Sequence, residues 1–216
     1  MSIMFCGYRD WAKEIYRNLS IDVDLIETPS ELENALLKKN PDIIFFIGWS
    51  WIVEKDIVEK HMCVCLHPSP LPKYRGGSPI QHQIINNESD SAVTMFKMDD
   101  RIDRGEILFQ ESFSLAGDLD EIMTRIVKIG TKGTKEILRS FPNDLKIKPQ
   151  DNTMASYFRR RNPSMSKISH DDFSKYTAKE IYNKVRALQD PYPNAYVVCK
   201  DDTKLFITRA HLDDDK

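Results

Sequence analysis

One continuous apolar run constrains the fold of this chain more than any other feature. Residues 42–47 read DIIFFI, an aspartate followed by β-branched and aromatic residues only. A strand of this kind has no polar face, so it belongs inside a sheet that is covered on both sides. Short apolar runs and helical patterns alternate around it, which predicts crossover helices and a mostly parallel sheet. The expected fold class is therefore α/β, with a Rossmann-like sheet and flanking helices.

The other elements follow from hydrophobic spacing and from helix start and stop signals. The patterns predict strands at 2–6, 23–26, 62–66, 92–97 and 107–113, and helices at 11–19, from 29, at 79–87 and at 120–141. Gly130 and Gly133 in the last of these helices suit close packing against a neighbour. From Pro142 the chain turns polar and irregular. This predicts a main domain at 1–145 and a small extension at 146–216, with a helix at 178–188 and a hairpin of strands at 195–199 and 204–208.

Charge and cysteine content narrow the classes of function. The formal net charge is -2 and the sequence pI about 6.2, so the surface lacks the basic field that draws proteins to nucleic acid. The four cysteines are sparse, which predicts free thiols in a reducing compartment. No second Cys or His cluster accompanies Cys63 and Cys65, so we expect no metal. No stretch approaches the roughly 20 apolar residues of a membrane span, and we expect a soluble, cytoplasmic protein without a membrane partner.

The chemically most unusual segment is HPSPLPKYRGGSP, from His67 to Pro79. Its prolines and glycines fix a stiff loop at the carboxyl end of a predicted strand, the edge at which open parallel sheets bind ligands. A histidine held there is suited to acid–base chemistry near neutral pH. From these residues alone, a hydrogen-bonded structural histidine is an equal alternative. Walker, GxGxxG and nucleophile-elbow motifs are missing from the sequence, which removes the commonest nucleotide-binding and hydrolase interpretations.

Over nearly its whole length the chain resembles the folate-dependent formyltransferases. The matching segments are GYRDW at 7–11, HPSPLP at 67–72, RGGSPIQ at 75–81, MDDRIDRGEI at 98–107, RAL at 186–188 and PYP at 191–193. The resemblance implies 10-formyltetrahydrofolate as the formyl donor, no metal, and a cis Leu71–Pro72 bond. It also implies a catalytic set of Asn, His and Asp, in which the histidine corresponds to His67 and the aspartate to Asp103.

The asparagine of this set is replaced by Cys65, and a thiol is a much weaker hydrogen-bond donor than an amide. The resemblance therefore implies that His67 takes a proton and steadies the negative oxygen of the intermediate. Asp103, when ionised, would orient the imidazole and favour its charged form. Cys65 would be passive or weakly polar.

Within the family, the resemblance favours the nucleotide-sugar N-formyltransferases. Methionyl-tRNA formyltransferases carry a long basic loop after the second strand and a basic C-terminal domain, and the sequence predicts neither here. The glycinamide ribonucleotide enzyme lacks the RGGSPIQ form and the RAL and PYP segments. The expected acceptor is a nucleotide-linked amino-dideoxy sugar, such as dTDP-4-amino-4,6-dideoxyglucose used in surface polysaccharide synthesis, and a homodimer is compatible with it.

Three alternatives stay open. The chain could belong with the methionyl-tRNA or glycinamide ribonucleotide enzymes. It could bind folate or a sugar nucleotide with little turnover, because the asparagine is replaced. It could also be an interaction module without a folate site.

The resemblance also distributes the ligands over the chain. It implies that folate lies near Trp49, Ser50, Trp51, Ile52, Met98 and Asp99. The sugar nucleotide is expected at Arg9, Lys73, Arg75, Gly76, Ser78, Gln81, Arg160, Tyr192 and Tyr196. Among these, the arginines match phosphate geometry and the tyrosines could stack on the base. A solvated turn at 159–161 and a core or hairpin role for the two tyrosines are the alternatives.

Overall fold

The computed structural model describes residues 1–213 and centres on one six-stranded sheet. The strands of the chain are β1 (Ile3–Cys6), β2 (Leu25–Ile26), β3 (Ile43–Ile47), β4 (Met62–His67), β5 (Arg75–Gly76), β6 (Asp90–Lys97), β7 (Ile107–Ser114), β8 (Tyr157–Phe158), β9 (Ala195–Val198) and β10 (Lys204–Ile207). The helices are α1 (Asp10–Leu19), α2 (Pro29–Leu36), α3 (Lys55–Lys60), α4 (Pro79–Ile85), α5 (Leu119–Ser140), α6 (Asp172–Lys175) and α7 (Ala178–Arg186).

The sheet has the order β2-β1-β3-β4-β6-β7. Its first four strands are parallel, and β6 and β7 add an antiparallel edge. All five residues of β3 are buried. Phe45 faces a core shared with α1 and α5, and Phe46 faces a second core shared with α2. The predicted central strand and the predicted α/β fold class are confirmed.

Local sequence signals explain several of the helices. Thr28 caps α2 by accepting a hydrogen bond from the Glu31 N–H at 3.2 Å, and Pro29 occupies the first turn. A Cβ added to Gly130 would lie 2.7 Å from Ile15 and 2.8 Å from Leu66. The glycine thus lets α5 press against α1 and the sheet, which confirms its predicted packing role.

Element boundaries differ from the prediction in places that matter for the site. The strand predicted at 62–66 continues through His67, because His67 pairs with Thr94 in the ladder between β4 and β6. The strand predicted at 23–26 shrinks to β2, and α4 and α7 end two residues early. His67 is consequently held by a strand on its amino side and by the proline-rich loop on its carboxyl side.

The segment after α5 returns to the sheet instead of leading away from it. Lys148 forms a bridge with Ile107, and β8 pairs in parallel with β5. The hairpin of β9 and β10 follows α7, as the sequence predicts. Residues 214–216 of the predicted extension lie outside the described residues. Within residues 1–213, no helix combines the length and apolar character that crossing a membrane requires.

Candidate active site

His67 lies at the carboxyl edge of the sheet with only 6% of its surface exposed. Its Nε2 atom is 2.8 Å from the carbonyl oxygen of Tyr74. A carbonyl oxygen only accepts hydrogen bonds, so Nε2 carries the proton of the neutral ring. Nδ1 lies 3.7 Å from Oδ2 of Asp103. Nδ1 is therefore the ring atom that is free to exchange a proton, and it does so beside a carboxylate.

Asp103 comes from the loop between β6 and β7, and Gly76 of β5 fixes its side chain. The Gly76 N–H donates to Oδ2 of Asp103 at 2.7 Å. Gly76 has φ +95°, and a Cβ there would lie 2.3 Å from the carbonyl oxygen of Phe158, so only glycine fits. The Leu71–Pro72 peptide bond, in the proline-rich loop between β4 and β5, is cis, as predicted.

Cys65 lies two residues before His67 on the same face of β4. Burial raises the pKa of its thiol, and the charges of Asp103 and Cys63 raise it further. The Sγ–H group donates a long hydrogen bond of 3.7 Å to the Leu66 carbonyl. A thiol that stays neutral in this way supplies no charge to the site. Its predicted weak role in catalysis stays a prediction.

We expect Cys65→Asn to fold normally and to turn over as fast as the parent protein or faster. An amide N–H is a stronger donor than a thiol, and at this position it would point from β4 towards the same space as His67. Turnover and thermal unfolding, with Cys65→Ala as the matched control, test this. A large loss of turnover in folded Cys65→Asn protein would mean that the site is built around the smaller thiol.

Aromatic side chains cluster immediately after the end of β3. The Trp49 ring contacts Phe46 and Trp51 edge-on, with centroids 5.8 and 4.9 Å apart, and Tyr8 packs on Trp51. Trp51 and Ile52 are exposed, and Nε1 of Trp49 is buried without a hydrogen-bond partner among the described residues. The predicted folate residues of this segment therefore combine an exposed apolar surface at Trp51 and Ile52 with one buried N–H group on Trp49 that has no partner within residues 1–213.

The other predicted folate segment follows β6. Met98, like Cys65, packs against a small core of Leu71, Phe96 and Ile107, and its N–H donates to the Cys63 carbonyl at 2.8 Å. Asp99 is paired with Arg101 at 2.6 Å. A pocket of about 610 Å³ opens beside Met98 and Asp99, with α3 as its opposite wall.

Ser50 brings together residues that the sequence assigned to different ligands. Its Oγ atom accepts from the Tyr8 hydroxyl at 2.8 Å and from Arg9 at 3.3 Å. Its carbonyl oxygen accepts from Arg160 at 3.5 Å. Two guanidinium groups thus converge at the rim of the site, one from the loop after β1 and one from the segment after β8.

Arg75 does not have the surface position that the sequence prediction requires. It is completely buried, and its guanidinium donates to Gln150 at 2.6 and 3.1 Å, to Asn152 at 2.9 Å and to the Tyr157 hydroxyl at 2.9 Å. The predicted contact between Arg75 and a diphosphate does not fit this burial, because the donors already face protein acceptors. Arg75 supports the loops around Asp103 instead.

The remaining predicted substrate residues differ in how far their side chains are exposed. Lys73 is exposed on the proline-rich loop. Ser78 accepts from the Arg161 N–H at 3.1 Å, and Gln81 is buried in α4. The N–H of Gly76 is already bonded to the Asp103 carboxylate.

The two tyrosines occupy packed positions. Tyr196 is buried in β9 between Phe206 and the ammonium group of Lys204, which lies 4.6 Å from its ring centre. Tyr192 packs partly buried against the main core. Contact of either ring with a base stays a prediction.

Sequence reasoning missed Gln150 and Tyr157, both in the segment treated as irregular. Nε2 of Gln150 donates to the carbonyl oxygens of Asp103 and Gly105 at 3.0 and 2.7 Å. Burial alone would raise the pKa of Tyr157, but hydrogen bonds from Arg104 and Arg75 lower it. Neither residue lies in a periodic pattern or motif, so no signal in one sequence marks them.

Among residues 1–213, no group of three or more His, Cys, Asp or Glu side chains is arranged to hold a metal ion.

A mostly parallel open sheet with a histidine–aspartate pair at the carboxyl edge of its strands defines an α/β protein equipped for acid–base chemistry at a ligand-binding edge. The family model described as formyl transferase matches residues 24–138, and the one described as formyl transferase, C-terminal domain, matches residues 167–216. The chain belongs to the formyltransferase family. The second match covers α7 and the hairpin of β9 and β10. It corrects the expectation that the C-terminal domain of methionyl-tRNA formyltransferases has no counterpart in this chain.

Individual relatives agree with this assignment. The chain is 31% identical over 184 residues to methionyl-tRNA formyltransferase from Caldicellulosiruptor saccharolyticus, covering 83% of this chain and 57% of that protein. The structure of methionyl-tRNA formyltransferase from Clostridium thermocellum matches with a TM-score of 0.86 and 30% identity, over 100% of this chain and 95% of that one. A sugar N-formyltransferase from a Shewanella species shares the fold, with a TM-score of 0.77, 20% identity and 98% coverage of both chains.

Proposed function

We propose that this protein transfers a formyl group from 10-formyltetrahydrofolate to the amine of a nucleotide-linked amino sugar. The observation that carries formyl transfer is the pairing of His67 Nδ1 with Asp103 at 3.7 Å in a member of the formyltransferase family. This spacing is longer than a hydrogen bond, so a ligand atom can reach Nδ1 while the carboxylate still stabilises an imidazolium. The open aromatic surface of Trp49 and Trp51 suits the flat pterin ring of the donor.

The reaction forms one C–N bond and breaks another. The unprotonated amine attacks the formyl carbon, negative charge develops on the formyl oxygen, and the bond to the folate nitrogen then breaks. His67 takes the proton that the amine loses and delivers it to the departing folate nitrogen. As the imidazolium, it also stabilises the negative oxygen, with Asp103 balancing its charge.

Two features support a sugar nucleotide as the acceptor. Arg9 and Arg160 converge on Ser50 at the rim, and guanidinium groups bind the oxygens of a diphosphate well. The connection between β2 and α2 consists of Glu27 and Thr28 only. By the resemblance described above, methionyl-tRNA formyltransferases carry a long basic loop at this point.

Methionyl-tRNA is the second candidate acceptor. The observation that favours it is the 30% identity to the Clostridium thermocellum enzyme over the whole of this chain, against 20% for the Shewanella sugar enzyme. The chain spans 57% of the length of the Caldicellulosiruptor saccharolyticus relative.

A direct assay separates the two acceptors. The protein is incubated with 10-formyltetrahydrofolate and with dTDP-linked 4-amino and 3-amino dideoxy sugars, their UDP counterparts, or methionyl-tRNA. A formylated sugar nucleotide is the expected product. Formylation of methionyl-tRNA alone overturns the proposed acceptor, and tight folate or dTDP binding without product overturns the proposed enzyme activity. Thermal shifts report binding, since a ligand at 100 times its Kd adds about 2.7 kcal/mol of stability.

For Tyr192 and Tyr196, we expect alanine in one of the two positions to raise the apparent Kd for the sugar nucleotide about tenfold or more. Stacking of an aromatic ring on a base is worth about 1 to 3 kcal/mol. The Kd for folate should stay unchanged, and Tyr176→Ala, which removes an exposed ring before α7, is the control. If sugar-nucleotide affinity survives both truncations, the two rings serve packing only and the base binds elsewhere.

A further inference from the structure

Asp103 has a backbone conformation that is uncommon for residues other than glycine, although aspartate adopts it more readily than most. Its φ is +53°, in the left-handed region where a Cβ is crowded against the following carbonyl group. Such conformations persist where surrounding contacts hold them, and they concentrate at functional sites. The residues that hold this loop therefore bear on the position of the carboxylate next to His67.

Gln150 supplies two of these contacts. Its Nε2 group donates to the carbonyl oxygen of Asp103 at 3.0 Å and to that of Gly105 at 2.7 Å. One side-chain amide thus binds the backbone on both sides of Arg104. A further anchor of Asp103 is the Gly76 N–H, which donates to its carboxylate at 2.7 Å.

The orientation of the Gln150 amide is fixed by Arg75. Oε1 of Gln150 accepts from Nε and Nη2 of the buried guanidinium at 3.1 and 2.6 Å. Arginine only donates and carbonyl oxygens only accept, so the amide has one satisfactory orientation between them. Arg75 and Gly76 together form β5. This two-residue strand therefore holds Asp103 in two ways, through the Gly76 N–H and through the Gln150 amide that Arg75 orients.

We propose that Gln150 is a positioning residue, which the buried Arg75 orients so that its amide sets the conformation of the Asp103 loop. This inference rests on the proposed formyl transfer for its kinetic test but not for its structural one. Gln150 touches neither His67 nor the space beside it in any described contact, so it acts through the backbone of Asp103.

Gln150→Glu isolates this role. The carboxylate keeps the bonds to Arg75, and it turns an acceptor towards the carbonyl oxygens of Asp103 and Gly105, where the amide had donated. Gln150→Ala loses both sets of contacts. Gln189→Glu is the matched control, because it makes the same substitution at a side chain whose Oε1 accepts from the Leu119 N–H at 2.9 Å and has no described bond to Arg75 or to the Asp103 loop.

We expect kcat to fall about tenfold or more in Gln150→Glu and Gln150→Ala, with KM for donor and acceptor within about twofold, because misplacing a catalytic group lowers turnover more than binding. Amide hydrogen exchange should quicken at Gly76 and across residues 98–106 in both variants. Gln189→Glu should leave kcat and this exchange pattern unchanged.

Normal kcat or unaltered exchange in folded Gln150→Glu overturns the inference and leaves Gln150 as a partner of Arg75 only. If Gln150→Ala fails to fold, Gln150→Glu decides alone. A parent protein that formylates none of the acceptors overturns the proposed function, and the exchange comparison then tests the inference separately.

Discussion

Replacing His67 by alanine, or Asp103 by asparagine, should lower turnover by at least about a hundredfold, the usual size of an acid–base contribution. His67→Ala removes the ring whose Nδ1 faces Asp103, so neither the proton transfer nor the stabilisation of the negative oxygen survives. Asp103→Asn keeps an oxygen for the Gly76 N–H and removes the charge beside the imidazole. A hundredfold loss corresponds to about 2.7 kcal/mol of transition-state stabilisation.

The measurement is kcat for formyl transfer with both substrates saturating. His170→Ala and Asp120→Asn are matched controls, because both side chains are exposed and lie outside the site. Thermal unfolding of each variant separates loss of chemistry from loss of fold. Near-normal turnover in either His67→Ala or Asp103→Asn would remove that residue from the mechanism.

Gly105→Ala should also reduce kcat by about a hundredfold, through geometry instead of chemistry. A Cβ at Gly105 would lie 1.6 Å from the carbonyl oxygen of Lys97, so the backbone segments at Gly105 and Lys97 have to move apart. Gly105 follows Asp103 by two residues, and a displacement of about 1 Å at a reacting group can cost about a hundredfold in rate. Overpacking of this kind should also destabilise the fold by about 1 to 3 kcal/mol.

Glu106→Ala is the control for Gly105→Ala, because Glu106 is exposed in the same loop and the change adds no atom to the close contact. We expect the control to keep parental kcat and stability. Gly105→Ala protein with kcat within about threefold of the parent would show that the Asp103 loop absorbs the displacement, and would weaken the case for a tightly fixed carboxylate.

The parts of the fold that the sequence predicts are those with strong local or periodic signals. The apolar run of β3 has no polar face, and Thr28 followed by Pro29 marks a helix start, so both were recognised correctly. The motifs around His67 and Asp103 predict that the two residues belong to one site, and the structure brings their side chains within 3.7 Å, while their catalytic roles stay predictions.

The errors arise where tertiary contacts decide the role of a residue. Arg75 carries the residue type of a phosphate ligand, yet its burial depends on Gln150 and Asn152, which lie 75 and 77 positions later in the chain. Gln150 itself stands in a polar stretch without periodicity. A side chain whose function is to bind two carbonyl groups of another loop leaves no spacing signal of its own.

The return of the chain to the sheet after α5 has a consequence for how the protein is made. The contacts that complete the site join distant positions: Tyr74 with Ser156 across 82 residues, and Arg160 with Ser50 across 110. Long-range contacts of this kind form late, because a long loop has to close before they contribute. During synthesis, the six strands of the main sheet, β1 to β4, β6 and β7, can pair before the segment that holds the Asp103 loop has left the ribosome. We therefore expect a nascent chain ending near residue 145 to form the main sheet but to lack the contacts that hold the Asp103 loop.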